Sequence, residues 1–278
     1  EARALYRLLL QPAAAVLQDV EELCLVPDDA MWEVPFQALQ TGAGRYVLED
    51  HTIRYAPSLS VMTTLAKQQQ TPTKPSVLAF GNPARPTDLS SAFAPLPEAE
   101  KEVAAIGKLM DSAQIFTGTT ATESRFKTLA ARYNILHLAT HGVLNNRQPL
   151  DSYLLLSNSE EAEQEDGKLT AREIMQSELN AQLVVLSACE TAQGNIRAGE
   201  GVVGLSWAFF LAGCRTLVVS QWQVHSGSTT NLMVRFFAQR QRQRPNAEAL
   251  RQAALQLMQQ PRYQHPYYWA SFVTLGAP

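Results

Sequence analysis

The sequence predicts an α/β fold in which helices cover both faces of a mostly parallel β-sheet. Short apolar segments with strand character alternate along the chain with longer segments of helical periodicity. The strand segments are near-continuous apolar runs, as in "LVVLSA" and "RTLVVSQW", which is typical of parallel strands buried on both faces. Hydrophobic residues make up 46% of the 278 residues, which is enough for a sizeable core.

The composition argues against a membrane protein, a nucleic-acid-binding protein and a disulfide-rich protein. The formal net charge is −3, and no apolar run approaches the roughly 18 residues of a transmembrane helix. The first ten residues carry no signal-peptide cleavage site. The three cysteines, Cys24, Cys189 and Cys214, are odd in number and widely spaced, which argues against a disulfide framework and a zinc site. We therefore expect a reducing, cytoplasmic location, no metal and no cofactor.

Residues 1–75 are predicted to form a smaller N-terminal lobe of helices and a β-hairpin. The first segment is helical with an interruption at Pro12. The chain opens inside this helix without Met, so we expect a fragment of a longer protein or a processed piece. The proline-bearing break "TPTKP" (Thr71–Pro75) is the predicted boundary. Between the first helical segment and this break, the sequence predicts the strand "ELCLVP", the hairpin strands "RYVLED" and "TIRYAPS", and the helix "LSVMTTLAKQQQ".

Residues 76–278 are predicted to form the main α/β domain. Its predicted strands are "VLAF", "AQIFTG", "NILHLAT", "SYLLLS", "AQLVVLSA", "RTLVVSQW" and "YYWASFVTLG". Its predicted helices are "PEAEKEVAAIGKLM", "TATESRFKTLAA", "TAREIMQS", "GEGVVGLSWAFFLAG", "STTNLMVRFFAQRQRQ" and "AEALRQAALQLMQQ". The stretch Arg235–Pro245 carries four arginines, which we interpret as an exposed helix face because the whole chain is acidic.

Two of the predicted strands end in residues that carry chemistry. His141 and Gly142 follow "NILHLAT", and Cys189 follows "AQLVVLSA". Active groups in parallel sheets lie at the carboxyl ends of the strands. If these two strands are neighbours, His141 and Cys189 therefore face one crevice. His137 lies inside its strand and is expected to be a satisfied core histidine.

A cysteine and a histidine in one crevice are the groups of nucleophilic acyl transfer. A thiol becomes an effective nucleophile when a base such as imidazole takes its proton. The backbone N–H groups of Gly142 and Cys189 are candidate donors to the oxyanion that forms. From the residues alone the structural alternative stays open, because a cysteine or a single histidine at the end of an apolar strand is more often part of the packing.

The chain resembles the CHAT domain, a bacterial branch of the caspase–separase cysteine peptidases. The most specific parts of the resemblance are the blocks "HLATHG" and "LSACETAQG", and the interval of 48 residues (189 − 141) suits a caspase-type strand–helix–strand unit. The resemblance covers almost the whole sequence. Its other segments are "LVPDDAMWEVPFQAL", "YAPSLS", "FGNP", "LPEAEKEVAAI", "TGTTATESRFK", "DGKLTAREI", "GEGVVGLSWAFFLAG" and "HPYYWASFVTLG".

The resemblance implies a caspase-like three-layer α/β/α sandwich with a smaller N-terminal pseudo-caspase lobe. It implies that Cys189 is the nucleophile, that His141 is the general base and acid, and that the N–H groups of Gly142 and Cys189 form the oxyanion hole. Family members usually cut peptide bonds in other proteins and often follow helical repeats that sense a partner. We therefore expect a protein substrate and a regulatory partner or helical repeats N-terminal to this chain, and neither nucleic acid nor membrane.

The segment after "RTLVVS" departs from the family pattern. Many relatives carry Trp-x-Val-Asp-Asp there, whose acidic residues pair with a basic substrate side chain, whereas this chain has His225 and Ser226 in the two acidic places. The charge-assisted bond that selects Arg or Lys is therefore missing from this segment. The candidate substrate-contacting residues, including two acidic ones from elsewhere in the crevice, are Trp222, Gln223, Val224, His225, Glu200 and Asp151.

Two other functions remain open from the sequence. The first is a caspase-like scaffold that signals by binding and has little or no activity, which the substituted "QVHSG" segment favours. The second is amide transfer or hydrolysis on small molecules, which uses the same cysteine and histidine chemistry, although no small-molecule pocket is indicated.

Overall fold

The structure is a computed structural model that describes most of the chain. The described residues are 1–67, 74–86, 89, 92–145, 147–158, 165–187 and 198–278, with side chains omitted at 66–67 and 198–204. No described helix is long and apolar enough to cross a membrane.

Within the described residues, eight strands form one sheet in the order β1-β2-β11-β10-β9-β5-β3-β4, and three short strands form a second, antiparallel sheet in the order β6-β7-β8. The strands are β1 (Glu22–Leu25), β2 (Thr52–Tyr55), β3 (Val77–Pro83), β4 (Ala113–Gly118), β5 (Ile135–Ala139), β6 (Gly142–Val143), β7 (Tyr153–Leu155), β8 (Lys168–Thr170), β9 (Leu183–Leu186), β10 (Thr216–Ser220) and β11 (Phe272–Gly276). Only β10 and β11 pair antiparallel in the large sheet, so the predicted mostly parallel sheet is confirmed.

Helices pack on both faces of the large sheet. They are α1 (Ala2–Leu9), α2 (Ala14–Leu17), α3 (Val47–Asp50), α4 (Leu59–Lys67), α5 (Pro97–Leu109), α6 (Glu123–Leu129), α7 (Ala171–Met175), α8 (Ala198–Leu211), α9 (Ser226–Gln241), α10 (Asn246–Met258) and α11 (Pro266–Trp269). One core contains residues of α4, α6, α7 and α8, and the other contains residues of α5, α9, α10 and α11. The predicted three-layer arrangement is therefore confirmed.

The alternation of side chains along each central strand explains the two cores. On β5, Leu136 and Leu138 enter the core beneath α6, α7 and α8, while Ile135 and Ala139 enter the core beneath α5 and α9. His137 shares the second face, where its ring meets Phe237 edge to face at 5.3 Å. Both faces are buried, so every residue of this strand is buried.

The predicted β-hairpin near residue 50 is wrong. "RYVLED" forms the short helix α3 rather than a strand, and β1 pairs with β2 in parallel. The reason is local, because the Glu49 carboxylate accepts the backbone N–H of Tyr46 at 2.7 Å and Asp50 adds a second acidic group to the first turn. Both favour the start of a helix. Strands β1 and β2 extend the large sheet through β11, and the division of the chain at residue 75 stays a prediction.

A lysine and three glutamates tie α6 to α7 and to the chain before β8. The ammonium of Lys127 lies 2.7 Å from carboxylate oxygens of Glu123 and Glu165 and 2.8 Å from one of Glu173. These glutamates are the only group among the described residues whose oxygens come close enough to share a metal ion. The ammonium of Lys127 already lies within hydrogen-bond distance of all three carboxylates, so we assign no metal to them.

The cluster makes the stability of the fold depend on pH. Burial and the neighbouring carboxyl of Glu165 raise the pKa of Glu123 to about 8 from an ordinary 4.5. Between these values the native state keeps a proton that the unfolded chain has released. The stabilisation from this proton is complete below pH 4.5 and is lost as the pH rises towards 8.

We expect the Glu123→Gln variant to lose this pH dependence, because glutamine mimics the protonated carboxyl. Between about pH 5 and pH 8 the free energy of unfolding of the unaltered protein should fall relative to that of the variant by up to about 1.4 kcal/mol per pH unit. Urea unfolding at several pH values measures this difference. Glu178→Gln, at an exposed position, is the matched control. Parallel stability curves for Glu123→Gln and the unaltered protein would contradict the assignment.

Candidate active site

Strands β5 and β9 are direct neighbours and run in parallel. Ile135 lies opposite Leu183, and Leu138 lies opposite Leu186. Their carboxyl ends therefore meet at one edge of the sheet, as the sequence predicts for neighbouring strands. His141 follows β5 at this edge, and Ser187 follows β9. Cys189, two positions further on, lies outside the described residues.

The ring of His141 is held in one orientation. The side chain is 2% exposed, its Nε2 lies 2.7 Å from the carbonyl oxygen of Ala94, and its ring centroid is 5.0 Å from that of Phe93. A carbonyl oxygen only accepts hydrogen bonds, so Nε2 carries the proton and donates it. In the neutral imidazole Nδ1 is then the basic nitrogen.

The backbone around His141 is anchored by the small antiparallel sheet. The N–H of Leu155 donates to the carbonyl of His141 at 2.8 Å, and the hydroxyl of Thr140 donates to the carbonyl of Leu155. Gly142 begins β6 and lies opposite Leu154 on β7. The chain passes from β5 of the large sheet to β6 of the small sheet at Thr140 and His141, so both sheets fix the backbone of His141.

A cavity of about 160 Å³ opens beside His141. It is bounded by the first turns of α5 and α9 and by the residues that follow β5, β9 and β10. In the part of the chain that the structure describes, two carboxylates line the cavity, those of Glu98 and Glu102. Its lining residues are Pro95, Leu96, Pro97, Glu98, Ala99, Glu102, Thr140, His141, Ser187, Val224, Ser226, Thr229 and Thr230.

Glu102 and His137 form a buried pair beneath this cavity. Nε2 of His137 lies 2.8 Å from Oε1 of Glu102, and the residues are 0% and 1% exposed. No other described residue hydrogen-bonds to either side chain. His137 is buried in the core as predicted, but it is not fully satisfied, because its Nδ1 has no hydrogen-bond partner among the described residues. Its carboxylate partner was missed. The four-residue spacing of Glu98 and Glu102, which puts both on one face of α5, was the available signal.

The segment after β10 contributes one of its four predicted residues to the cavity. Val224 lines it, whereas Gln223 is exposed and is not part of the lining. Nε1 of Trp222 donates to the carbonyl of Tyr267 at 3.3 Å. His225 caps α9, because its Nδ1 accepts the N–H of Ser228 at 3.2 Å.

One of the two acidic residues predicted as partners from elsewhere, Asp151, does not line the cavity. Asp151 is exposed, and its carboxylate lies 3.5 Å from the guanidinium of Arg172. Glu200 lies in the first turn of α8, and its side chain is outside the described part. The acidic groups that line the cavity in the described part of the chain come from α5.

We expect the Glu102→Ala variant to be destabilised by about 3 kcal/mol, because it leaves the His137 imidazole buried without its partner. The double variant Glu102→Ala with His137→Leu should lose less than the sum of the single variants, since both polar groups are then removed. Urea unfolding of the three variants measures the coupling. Glu100→Ala, an exposed position on the same helix, is the control. Additive losses would show that the pair does not interact.

The fold of the chain is similar to that of two solved cysteine peptidase structures. The chain is similar to separase in the Saccharomyces cerevisiae separase–securin complex, with a TM-score of 0.60, 17% identity, and coverage of 92% of this chain and 16% of that chain. It is similar to RgpB in the complex of the Porphyromonas gingivalis RgpB pro- and mature domains, with a TM-score of 0.58, 10% identity, and coverage of 96% and 68%. The fold is therefore caspase-like.

The family model of the CHAT domain matches residues 1–277, and the chain belongs to this family. Two curated relatives are "Tetratricopeptide repeat protein 28" of Homo sapiens and of Mus musculus, each 24% identical over 99% of this chain. The chain spans only 13% of the length of these relatives. Both come from mammals, so a bacterial origin stays a prediction.

Proposed function

We propose that this chain is a cysteine endopeptidase domain that uses Cys189 as its nucleophile and His141 as its general base and acid. The observation that carries the proposal is the position of His141. Its oriented imidazole lies at the carboxyl end of β5, beside the strand that leads to Cys189 and beside an open cavity. In enzymes with parallel sheets, the catalytic groups lie beside a cavity at the carboxyl ends of neighbouring strands, and His141 has this position.

The proposed reaction is acyl transfer through a thioester. Nδ1 of His141 takes the proton from the thiol of Cys189, and the thiolate attacks the carbonyl carbon of the peptide bond. The N–H groups of Gly142 and Cys189 donate to the oxyanion. His141 then returns the proton to the leaving amine, and water hydrolyses the thioester. The bond from Nε2 to the Ala94 carbonyl supports this role, because it keeps Nδ1 as the basic nitrogen.

We further propose that the substrate residue before the cut is basic, despite the loss of the acidic places after β10. The cavity beside His141 contains Glu98 and Glu102, and the second oxygen of Glu102 has no hydrogen-bond partner among the described residues. Among the described residues that line the cavity, the only other titratable group is His141 itself. A cationic side chain that enters this cavity gains charge-assisted hydrogen bonds that a neutral one lacks.

The chain forms the peptidase part of a larger regulated protein in this proposal. The named relatives are tetratricopeptide repeat proteins of which the chain spans a small part, which supports helical repeats as the regulatory partner. The free thiols Cys24 and Cys214 favour the reducing cytoplasm as the location. The alternative function, a scaffold that signals by binding, differs in one chemical respect, which is that it needs no activated thiol at position 189.

A thiol-directed chloromethyl ketone should label Cys189 selectively, and the His141→Ala variant should lose most of this labelling. Burial raises the pKa of the Cys24 thiol and raises that of Cys214 to about 12, so both react slowly and serve as internal controls. Mass spectrometry of the labelled peptides reads out each cysteine. Equal, slow labelling of all three cysteines would favour the scaffold.

A mixed peptide library should be cut by the unaltered protein and left intact by Cys189→Ala. His141→Ala should lower kcat/KM by roughly a hundredfold or more, the usual contribution of a general base. The experiment is run on the full-length protein with its regulatory region. Equal cutting by the unaltered protein and by Cys189→Ala would exclude Cys189 as the nucleophile.

The Glu102→Gln variant should lose the preference for a basic residue. We expect kcat/KM for peptides with arginine before the cut to fall by about tenfold, while peptides with citrulline, which keeps the shape without the charge, change little. Glu100→Gln, an exposed position on α5, is the control and should cut both peptides as the unaltered protein does. An equal fall for both peptides would assign Glu102 a structural role only.

A further inference from the structure

A second cavity, of about 680 Å³, lies at the edge of the sheet opposite the candidate active site. It is lined at the amino ends of β5, β9 and β10, by Ile135, Leu183 and Thr216, whereas His141 follows the carboxyl end of β5. The loop between α9 and α10 forms another part of its wall. The two cavities are therefore separated by the length of the strands.

The charged side chains among the described residues that line this cavity are all basic. They are Lys74, Arg215 and Arg240, and no described aspartate or glutamate lines it. None of the three forms an ion pair with a carboxylate in the part of the chain that the structure describes. Three unpaired cations around one cavity repel one another, and an anion among them removes this repulsion.

Arg240 is the member of this group that most needs a partner. Its Nε is shielded from solvent and has no hydrogen-bond partner among the described residues. Its guanidinium donates to the carbonyl of Arg244, and burial lowers its pKa because no carboxylate offsets the loss of hydration. Arg215 donates one bond, to the carbonyl of Leu65 at 3.1 Å. Both guanidinium groups keep further donors for a ligand.

The helix α10 adds a third kind of positive group. Its first residue, Asn246, and Pro245 just before it line the cavity, and no side chain caps its first turn. The acidic residue of that turn, Glu248, does not line the cavity, since its carboxylate accepts hydrogen bonds from Thr52 at 2.6 Å and Gln252 at 2.9 Å. The positive end of the helix dipole is thus available to an anion.

We propose that this cavity binds a phosphate group. A phosphate carries up to two negative charges and several acceptor oxygens, which match two guanidinium groups, one ammonium and a helix N-terminus. The basic stretch Arg235–Pro245 then has two parts, because Arg240 lines the site while Arg242 is exposed and does not. The proposal does not depend on the proposed peptidase activity.

The test is a calorimetric titration with inorganic phosphate at fixed ionic strength, with chloride as the balancing anion. The unaltered protein should bind phosphate, and Arg240→Gln should weaken binding by about tenfold, the effect of one lost charge-assisted contact. Lys74→Gln changes an exposed side chain that folding does not need, and it should weaken binding in the same direction. Arg242→Gln removes the same charge two residues from Arg240 and should change binding by less than about twofold.

The outcomes separate a built site from a diffuse positive surface. Absence of phosphate binding to the unaltered protein, or equal weakening by Arg242→Gln and Arg240→Gln, would overturn the proposal. A parallel titration with adenosine monophosphate distinguishes the sources of the phosphate. Tighter binding than inorganic phosphate indicates a nucleotide, and equal affinity indicates free phosphate. Either result supports the site if Lys74→Gln also weakens the binding of the tighter-binding ligand, or of both ligands where they bind equally.

Discussion

The candidate site depends on the parallel pairing of β5 with β9. This pairing brings the chain after Leu186 to the same edge of the sheet as His141, although the two are distant in the sequence. The register also decides which residues enter which core. A slip of one residue would exchange the faces of His137 and Leu138 and would place an imidazole among the leucines beneath α8. The hydrophobic pattern of β5 therefore specifies the register, and the register determines the geometry of the site.

The buried pair of Glu102 and His137 links the core to the cavity. Placing two polar groups in a core costs desolvation, and replacing such a pair by packed hydrophobic residues is often neutral or stabilising. Packing alone therefore does not explain why α5 carries a carboxylate at position 102. Its position in the lining, one helical turn from Glu98, supplies a reason, because the His137 contact fixes one oxygen and leaves the other beside the cavity. In the proposed function, this contact positions an acidic group for a cationic substrate side chain.

The sequence predicted the parallel sheet and the placement of His141 because both follow from local patterns. Apolar runs mark the strands, and a polar residue after such a run marks the strand end. Contacts between distant segments have no such signature. Lys127 contacts a glutamate 46 positions away, and Glu102 lies 35 positions from His137. The helix at residues 47–50 was missed for another reason, since the aromatic and apolar letters of "RYVLED" suggest a strand while a single carboxylate cap decides the local structure.

His225, which stands at the first of the two positions that are acidic in many relatives, has a structural role. His225 accepts the N–H of Ser228 and so begins α9, which is the work that aspartate also performs at a helix N-terminus. The substitution therefore keeps the helix start that lines the cavity through Thr229 and Thr230. A loss of charge at this segment does not make the cavity neutral, because α5 approaches from the other side with two carboxylates. The charge of the cavity is a property of all the elements around it, and a single motif is a poor guide to what enters.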